Sequence, residues 1–272
     1  MGAMADTAGR MGRQADSSDW LDHAVRVGLV AYGLVHLMIA WLALQLAFGD
    51  KSGAASSTGA LHALAKQPFG EVLIWLVSIG MFILVAWRLL EAALGHREVD
   101  GAKQARKRLA SLGKAVIYGS IGVSGLKVAI GSGSKGGTDS TTARLMDVPA
   151  GQWIVAAVGV GIIGYGLSLV FRAWTEDFAK HLDARGKSGD SGSTYLMFGK
   201  VGYNAKGLAI GIVGGLFVYA GVTHEAKKSG GLDQALQKVL EQPFGPYLLA
   251  AMAVGIGCYG LFTFARARHL SR

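Results

Sequence analysis

Long apolar runs alternate with short polar connections along the chain, at about 25–47, 70–94, 112–131, 152–173, 199–221 and 246–265. Each run is close to the roughly 20 residues that a helix needs to cross a bilayer core. In hydrocarbon every backbone N–H and C=O must be paired inside its own segment, so the runs predict helices and not strands. They come in pairs, and the second run of each pair opens on nearly the same phrase. That phrase is Gln67-Pro68-Phe69-Gly70, then Val148-Pro149-Ala150-Gly151, then Gln242-Pro243-Phe244-Gly245. The pattern predicts an all-α integral membrane protein: six transmembrane helices as three parallel two-helix repeats, with approximate threefold pseudo-symmetry about the membrane normal. After a flexible cytoplasmic N-terminus over 1–20, the repeats span 21–97, 98–183 and 184–272.

Composition supports a bilayer rather than water as the solvent. The chain is 51% hydrophobic and only 17% charged, with a mean hydropathy of +0.36, too apolar for a soluble domain of this length. The first twenty residues hold Asp6, Arg10, Arg13, Asp16 and Asp19 and no apolar core. No cleavable signal peptide is expected there, and the first run doubles as the targeting signal. Most Lys and Arg fall on the side of the N-terminus, the 95–111 and 174–198 connections and the C-terminus, with Lys103, Arg106, Lys107 and Arg108 the densest block. The positive-inside bias therefore predicts the cell membrane with both termini cytoplasmic. The net charge of +9 is then topology plus contact with anionic lipid headgroups. No nucleic-acid partner is expected, because no aromatic-interleaved basic face accompanies the charge. The single cysteine, Cys258, excludes intrachain disulfides and reads as a small packing residue.

Aligning the first helices on Gly33, Gly119 and Gly207 places Tyr32 over Tyr118 and Lys206. Aligning the second helices on the prolines places Gly80 over Gly161 and Gly255, and Leu84 over Tyr165 and Tyr259. Small residues let helix backbones approach in lipid, where apolar side chains gain little by meeting one another. Gly207, Gly211 and Gly215, at intervals of four, predict a packing groove on one face of the fifth run. The second run, with only Gly80, reads as the most lipid-facing. Trp20, Trp41, Trp75, Trp153 and Trp174 read as anchors at the headgroup level.

A symmetric polar pore needs polar groups at one depth in all units. At mid-depth the helices offer His36, Gly122 and Ile210, then Ser78, Gly159 and Ala253, so a symmetric channel is not expected. Departures from the repeat are the better candidates. Ser120, Ser124 and Lys127 share one face of the third run, a stripe that should point into the bundle. Alternatively the lysine snorkels and the serines bond back to their own helix. With His36 and Lys206 deeper, these five residues form a candidate ligand or transport path. His36 is otherwise a histidine satisfied by a neighbouring hydroxyl or carbonyl, and Lys206 reaches the headgroups. Arg88 and Glu91, three apart, are expected to pair. His96, His181 and His269 follow the second helices at unequal distances, without a ligand set around them, so no metal site is predicted and no cofactor is expected. No phosphate loop, nucleophile elbow or intramembrane carboxylate pair is present in the sequence.

The stretch Val25 to His36, the Gln-Pro-Phe-Gly openings at Gln67 and Gln242, and Gly255 to Gly260 resemble a family of bacterial membrane proteins filed as domain of unknown function 1206. The resemblance covers nearly the whole chain from Trp20 onward and implies six helices in three tandem units. It implies no reaction and no catalytic residues. The leading expectation is a non-enzymatic accessory or scaffold component, packing against lipid, a partner membrane protein or a second copy of itself. The rival is a transporter or channel-like protein for a small solute or anion.

Overall fold

The computed structural model describes residues 19–49, 55–66, 69–94, 101–131, 142–143 and 145–270. Pro68, His96, most of the 131–137 connection and the side chain of Trp20 lie outside the described residues. Eight α-helices are described: α1 Asp19–Ala47, α2 Ser57–Ala65, α3 Gly70–Leu94, α4 Ala102–Ala129, α5 Gly151–Trp174, α6 Gly189–Thr223, α7 Leu232–Leu240 and α8 Gly245–Arg268. By length and composition six of them, all but α2 and α7, can cross a membrane. No strand is found among the described residues; an isolated bridge joins Leu182 and Leu270.

Three of the predicted runs match their helices to within a few residues, whereas α4 and α6 start ten residues early, at 102 and 189. Their polar first turns continue the helix beyond the apolar run. In α6 the hydroxyls of Ser193 and Thr194 donate back to the Asp190 carbonyl, which satisfies them without a partner element. At 35 residues α6 is about 50 Å long, so it extends past a hydrocarbon core of about 30 Å.

The Pro-x-Gly phrases have a shared backbone geometry. Phe69, Ala150 and Phe244 each sit in the left-handed region, with φ of 61°, 61° and 60°. The glycine that follows opens the next long helix against the preceding segment. A Cβ on Gly151 would lie 1.9 Å from the Leu145 carbonyl oxygen, and one on Gly245 would lie 2.0 Å from that of Leu240. Only a residue without a side chain admits that approach. The amphipathic α7 leads into the third of these turns, burying Ala235, Leu236 and Val239 on its inner face.

The second helix of each unit packs most closely on the first helix of the next: α3 on α4, α5 on α6, and α8 on α1. Within units, α1 meets α3 and α6 meets α8, but α4 and α5 barely touch. The bundle therefore has one weak seam, inside the second unit. Contrary to the expectation for the second run, α5 buries a smaller share of its surface than α3, because it lies on that seam.

Glycines set the closest approach, though not in the predicted spacing. On α6 the positions that meet α5 are Gly207, Gly214 and Gly221, at intervals of seven, against Gly159 and Gly166. A Cβ on Gly214 would be 2.8 Å from the Gly159 carbonyl oxygen, whereas nothing lies within 4 Å of one on Gly211 or Gly215. A seven-residue repeat is what two helices inclined in a left-handed crossing require, so Gly211 meets Gly166 through its backbone alone and a side chain at Gly211 or Gly215 would point away from the interface.

Candidate functional site

The connection between α5 and α6, read in the sequence only as a short polar link, folds back under the bundle. Its 3-10 turn Asp177–His181 inserts Phe178, fully buried, against Tyr203 and Phe262 at ring distances of 5.3 and 5.2 Å. Gly199 leaves the space for that ring: a Cβ there would be 2.2 Å from Phe178 Cε2. Asp183 ties the connection to the C-terminal end of α8, donating its backbone N–H to the His269 carbonyl at 3.0 Å. These contacts close one end of the bundle and carry His181 inward. The Nδ1–H of His181 donates to the Phe178 carbonyl at 3.0 Å. Burial, reinforced by the Arg266 guanidinium, pushes its pKa down to about 3.

Above this floor the bundle encloses a cavity of about 40 Å³, lined from every long helix. That is room for about three waters or one small oxyanion. Its inner wall is aromatic. Tyr32 meets Tyr118 edge-on at 5.0 Å and Tyr259 at 6.2 Å, and Tyr259 meets Tyr203 at 5.3 Å. Lys206 is set into this wall. Its Nζ donates to the Tyr32 hydroxyl at 2.7 Å, lies 3.2 Å from His36 Nε2 and stands 3.9 Å above the Tyr259 ring. His36 Nδ1–H donates to the Tyr32 carbonyl at 2.8 Å, which leaves Nε2 with the lone pair that the ammonium meets. The lysine is thus held by a hydroxyl, an imidazole and an aromatic face, with no carboxylate among its described contacts.

The lining also carries four cationic side chains, Arg88, Lys114, Arg172 and Arg266. Arg88 and Glu91 form the expected ion pair, and Ser111 donates to the same carboxylate oxygen at 2.9 Å. Arg266 differs. It is 5% exposed, its Nε has no hydrogen-bond partner, and no ion pair reaches it among the described residues. The Nε of the equally buried Arg88 also lacks a partner. Five basic side chains, Lys206 included, therefore line one cavity in which no carboxylate is found among the described residues, Glu91 reaching it only through its pair with Arg88. A buried guanidinium without an acceptor is costly, and an anion in the cavity would supply the missing acceptors. No group of three His, Cys, Asp or Glu side chains converges as metal ligands would among the described residues.

Of the five path candidates, His36 and Lys206 come together at this wall. Ser120 and Lys127 are exposed on the outside of α4, and Ser124 is half-buried. The expected inward stripe is rotated away because Tyr118, Ile121, Gly122 and Gly125 form the buried face. Gly125 sets that rotation, since a Cβ on it would be 2.3 Å from Ser78 Oγ of α3. Ser120 bonds back to the Ile117 carbonyl at 2.8 Å. The polar ring sought at the depth of His36 lies one helical turn away. There the aligned rows Tyr32, Tyr118, Lys206 and Leu84, Tyr165, Tyr259 place five polar side chains around the cavity. Arg172 and Arg266, equivalent in the two later repeats, are the other residues missed, and their equal distance from the Pro-x-Gly turns is the signal that finds them.

A family model described as Domain of Unknown Function (DUF1206) matches three times, over residues 27–95, 109–176 and 201–269. The chain is similar to "Uncharacterized protein YxxB" of Bacillus subtilis (strain 168), at 25% identity over 256 residues, covering 92% of each chain. No solved structure matches.

Proposed function

We propose that this chain, which belongs to the DUF1206 family, is a non-enzymatic multi-pass membrane protein that binds and passes a small anion. The observation that carries the reading is Arg266, a buried guanidinium whose Nε has no hydrogen-bond partner and which no ion pair reaches among the described residues, facing a cavity with four more basic side chains. In a low-dielectric setting such a group is stable only beside negative charge, and among the described residues no carboxylate lines the cavity, Glu91 being paired with Arg88 behind it. The protein is placed in the cell membrane with both termini cytoplasmic, so that Arg88, Lys114, Arg172 and Arg266 form a vestibule near the cytoplasmic end. Three parallel units in approximate threefold order, with anionic lipid headgroups as neighbours and no nucleic acid, complete the picture.

The test is anion binding and flux by the full chain in phosphatidylcholine vesicles. Inorganic phosphate, sulfate and chloride are compared, and Arg266→Gln is expected to abolish binding and flux together. Full binding or flux by the variant, or no anion taken up by the native protein, overturns the proposal.

A second reading, an accessory or scaffold component, draws support from α5. Its Gly161 and Gly164 are exposed with nothing within 4 Å, as a face awaiting another helix would be. A stoichiometric membrane-protein partner, lost on Gly161→Leu while anion binding persists, distinguishes it.

A further inference from the structure

The cavity has a side door. Its lining includes Ile117 of α4 and Tyr165 of α5, yet these two residues are 40% and 37% exposed. A side chain that both lines a cavity and reaches the surface marks a mouth, and these two stand on the only adjacent pair of one repeat, among the described helices, that barely touches. The mouth opens through the flank of the bundle. Ile117 stands about one turn further into the span than Lys114, and the surface around it is mostly apolar, with Leu112 and Val116 exposed on α4 and Leu167 on α5, beside Ser120 bonded back to the Ile117 carbonyl. A ligand entering here crosses a lipid-facing surface before it meets any charge.

The groups inside the door select the chemistry. Lys114 and Arg172 stand on the same two helices, with Arg88 and Arg266 beyond, and the tyrosines supply hydroxyl donors. Guanidinium forks match oxyanions bidentately, and several forks around one point suit a tetrahedral oxyanion better than a halide. Resting on the anion-binding reading above, we propose that the ligand carries a phosphate group and enters sideways between α4 and α5. The group reaches the site on a lipid headgroup whose tails stay in the bilayer, or free in water; the recognition is the same.

Occupancy of the door is measurable with a thiol placed in it. Ile117→Cys in a Cys258→Ser background, reconstituted as the full chain in phosphatidylcholine vesicles, is reacted with N-ethylmaleimide. One arm adds phosphatidylglycerol to the vesicles and the other adds inorganic phosphate to the buffer. The reaction is expected to slow about tenfold when the probe is near ten times its Kd, by simple occupancy. Val116→Cys, on the outward face, is expected to react at an unchanged rate. Arg172→Gln in the Ile117→Cys protein is expected to remove the protection. Protection by phosphatidylglycerol assigns a lipid source, and protection by inorganic phosphate assigns a soluble one. If either probe binds in an Arg266-dependent way but leaves the introduced thiol unprotected, the side door is wrong and the anion-binding reading stands. If neither binds, the phosphate-bearing ligand and its door are wrong, and the anion-binding reading falls with them unless sulfate or chloride binds.

Discussion

Two glycines three residues apart on α6 should respond oppositely to the same added methyl. A Cβ on Gly214 would lie 2.8 Å from the Gly159 carbonyl oxygen and 2.8 Å from the Ile163 nitrogen, both backbone atoms that no rotamer change can move. A Cβ on Gly211 would meet nothing within 4 Å. Both substitutions gain the same helix preference of alanine over glycine, about 1 kcal/mol. The difference between Gly214→Ala and Gly211→Ala therefore isolates overpacking at the α5/α6 interface, about 1–3 kcal/mol in a close-packed site. Gly211→Ala is expected to be neutral or slightly stabilising, and Gly214→Ala to be the less stable of the two by that amount. Reversible unfolding in mixed micelles, followed by circular dichroism, measures both. If the two variants agree within about 0.5 kcal/mol, the ordinary scatter of such comparisons, the seven-residue groove is not what holds α5 to α6.

Four further substitutions probe other parts of the molecule. Arg266→Leu removes an uncompensated buried charge, so the anion-free protein should keep its stability or gain about 1–4 kcal/mol, while phosphate should no longer raise its Tm; a lower Tm without anion would contradict the unpartnered geometry. In the second Pro-x-Gly turn, Ala150→Gly relieves a left-handed alanine and should be neutral to stabilising by up to about 1 kcal/mol. Gly151→Ala forces a methyl into the Leu145 carbonyl and should cost well over that, read as loss of folded protein after extraction. His181 takes up a proton near 6.5 when unfolded but only near 3 when folded, so the unfolded chain binds more protons between those values. Its contribution is complete above pH 6.5 and is lost as the pH falls toward 3, and His181→Gln should flatten that part of the stability profile; equal slopes in variant and native protein would refute it.

The spans were legible because a bilayer leaves little choice. A run of apolar residues between polar connections must be a helix, and α3, α5 and α8 begin and end within three residues of their runs. What stayed hidden is rotation about the helix axes. In a soluble protein the apolar face points inward, but a helix surrounded by lipid is apolar on both sides, so periodicity does not say which stripe is buried. The Ser120, Ser124 and Lys127 stripe was placed inward on polarity, whereas close approach at Gly122 and Gly125 decided the matter. The glycines of α6 hold the same lesson, since Gly207 belongs to both a four-residue and a seven-residue series and only the crossing selects between them. The cavity was nearer to hand. Its tyrosine and lysine rows are visible once the repeats are superposed, one turn from His36 on the first helices and six residues from Ser78 on the second.

The repeats also explain why the cavity is lopsided. The units bring the first-helix positions Tyr32, Tyr118 and Lys206 and the second-helix positions Tyr165 and Tyr259 to the cavity, while the first unit has Leu84 at the matching second-helix position. Two turns further along the second helices stand Glu91, Arg172 and Arg266. If all three were arginine, three like charges would crowd one cavity with nothing to offset them. The first unit instead supplies a carboxylate there and an arginine one turn earlier, and these two neutralise each other. The positive charge left over belongs to the second and third units, as Lys114 and Arg172 beside the seam between α4 and α5, and Arg266 behind them. Departure from the repeat therefore does two things at once. It quenches the side of the cavity that is sealed by the α1/α3 contact, and it leaves the charge unquenched beside the one seam where a ligand has room to enter.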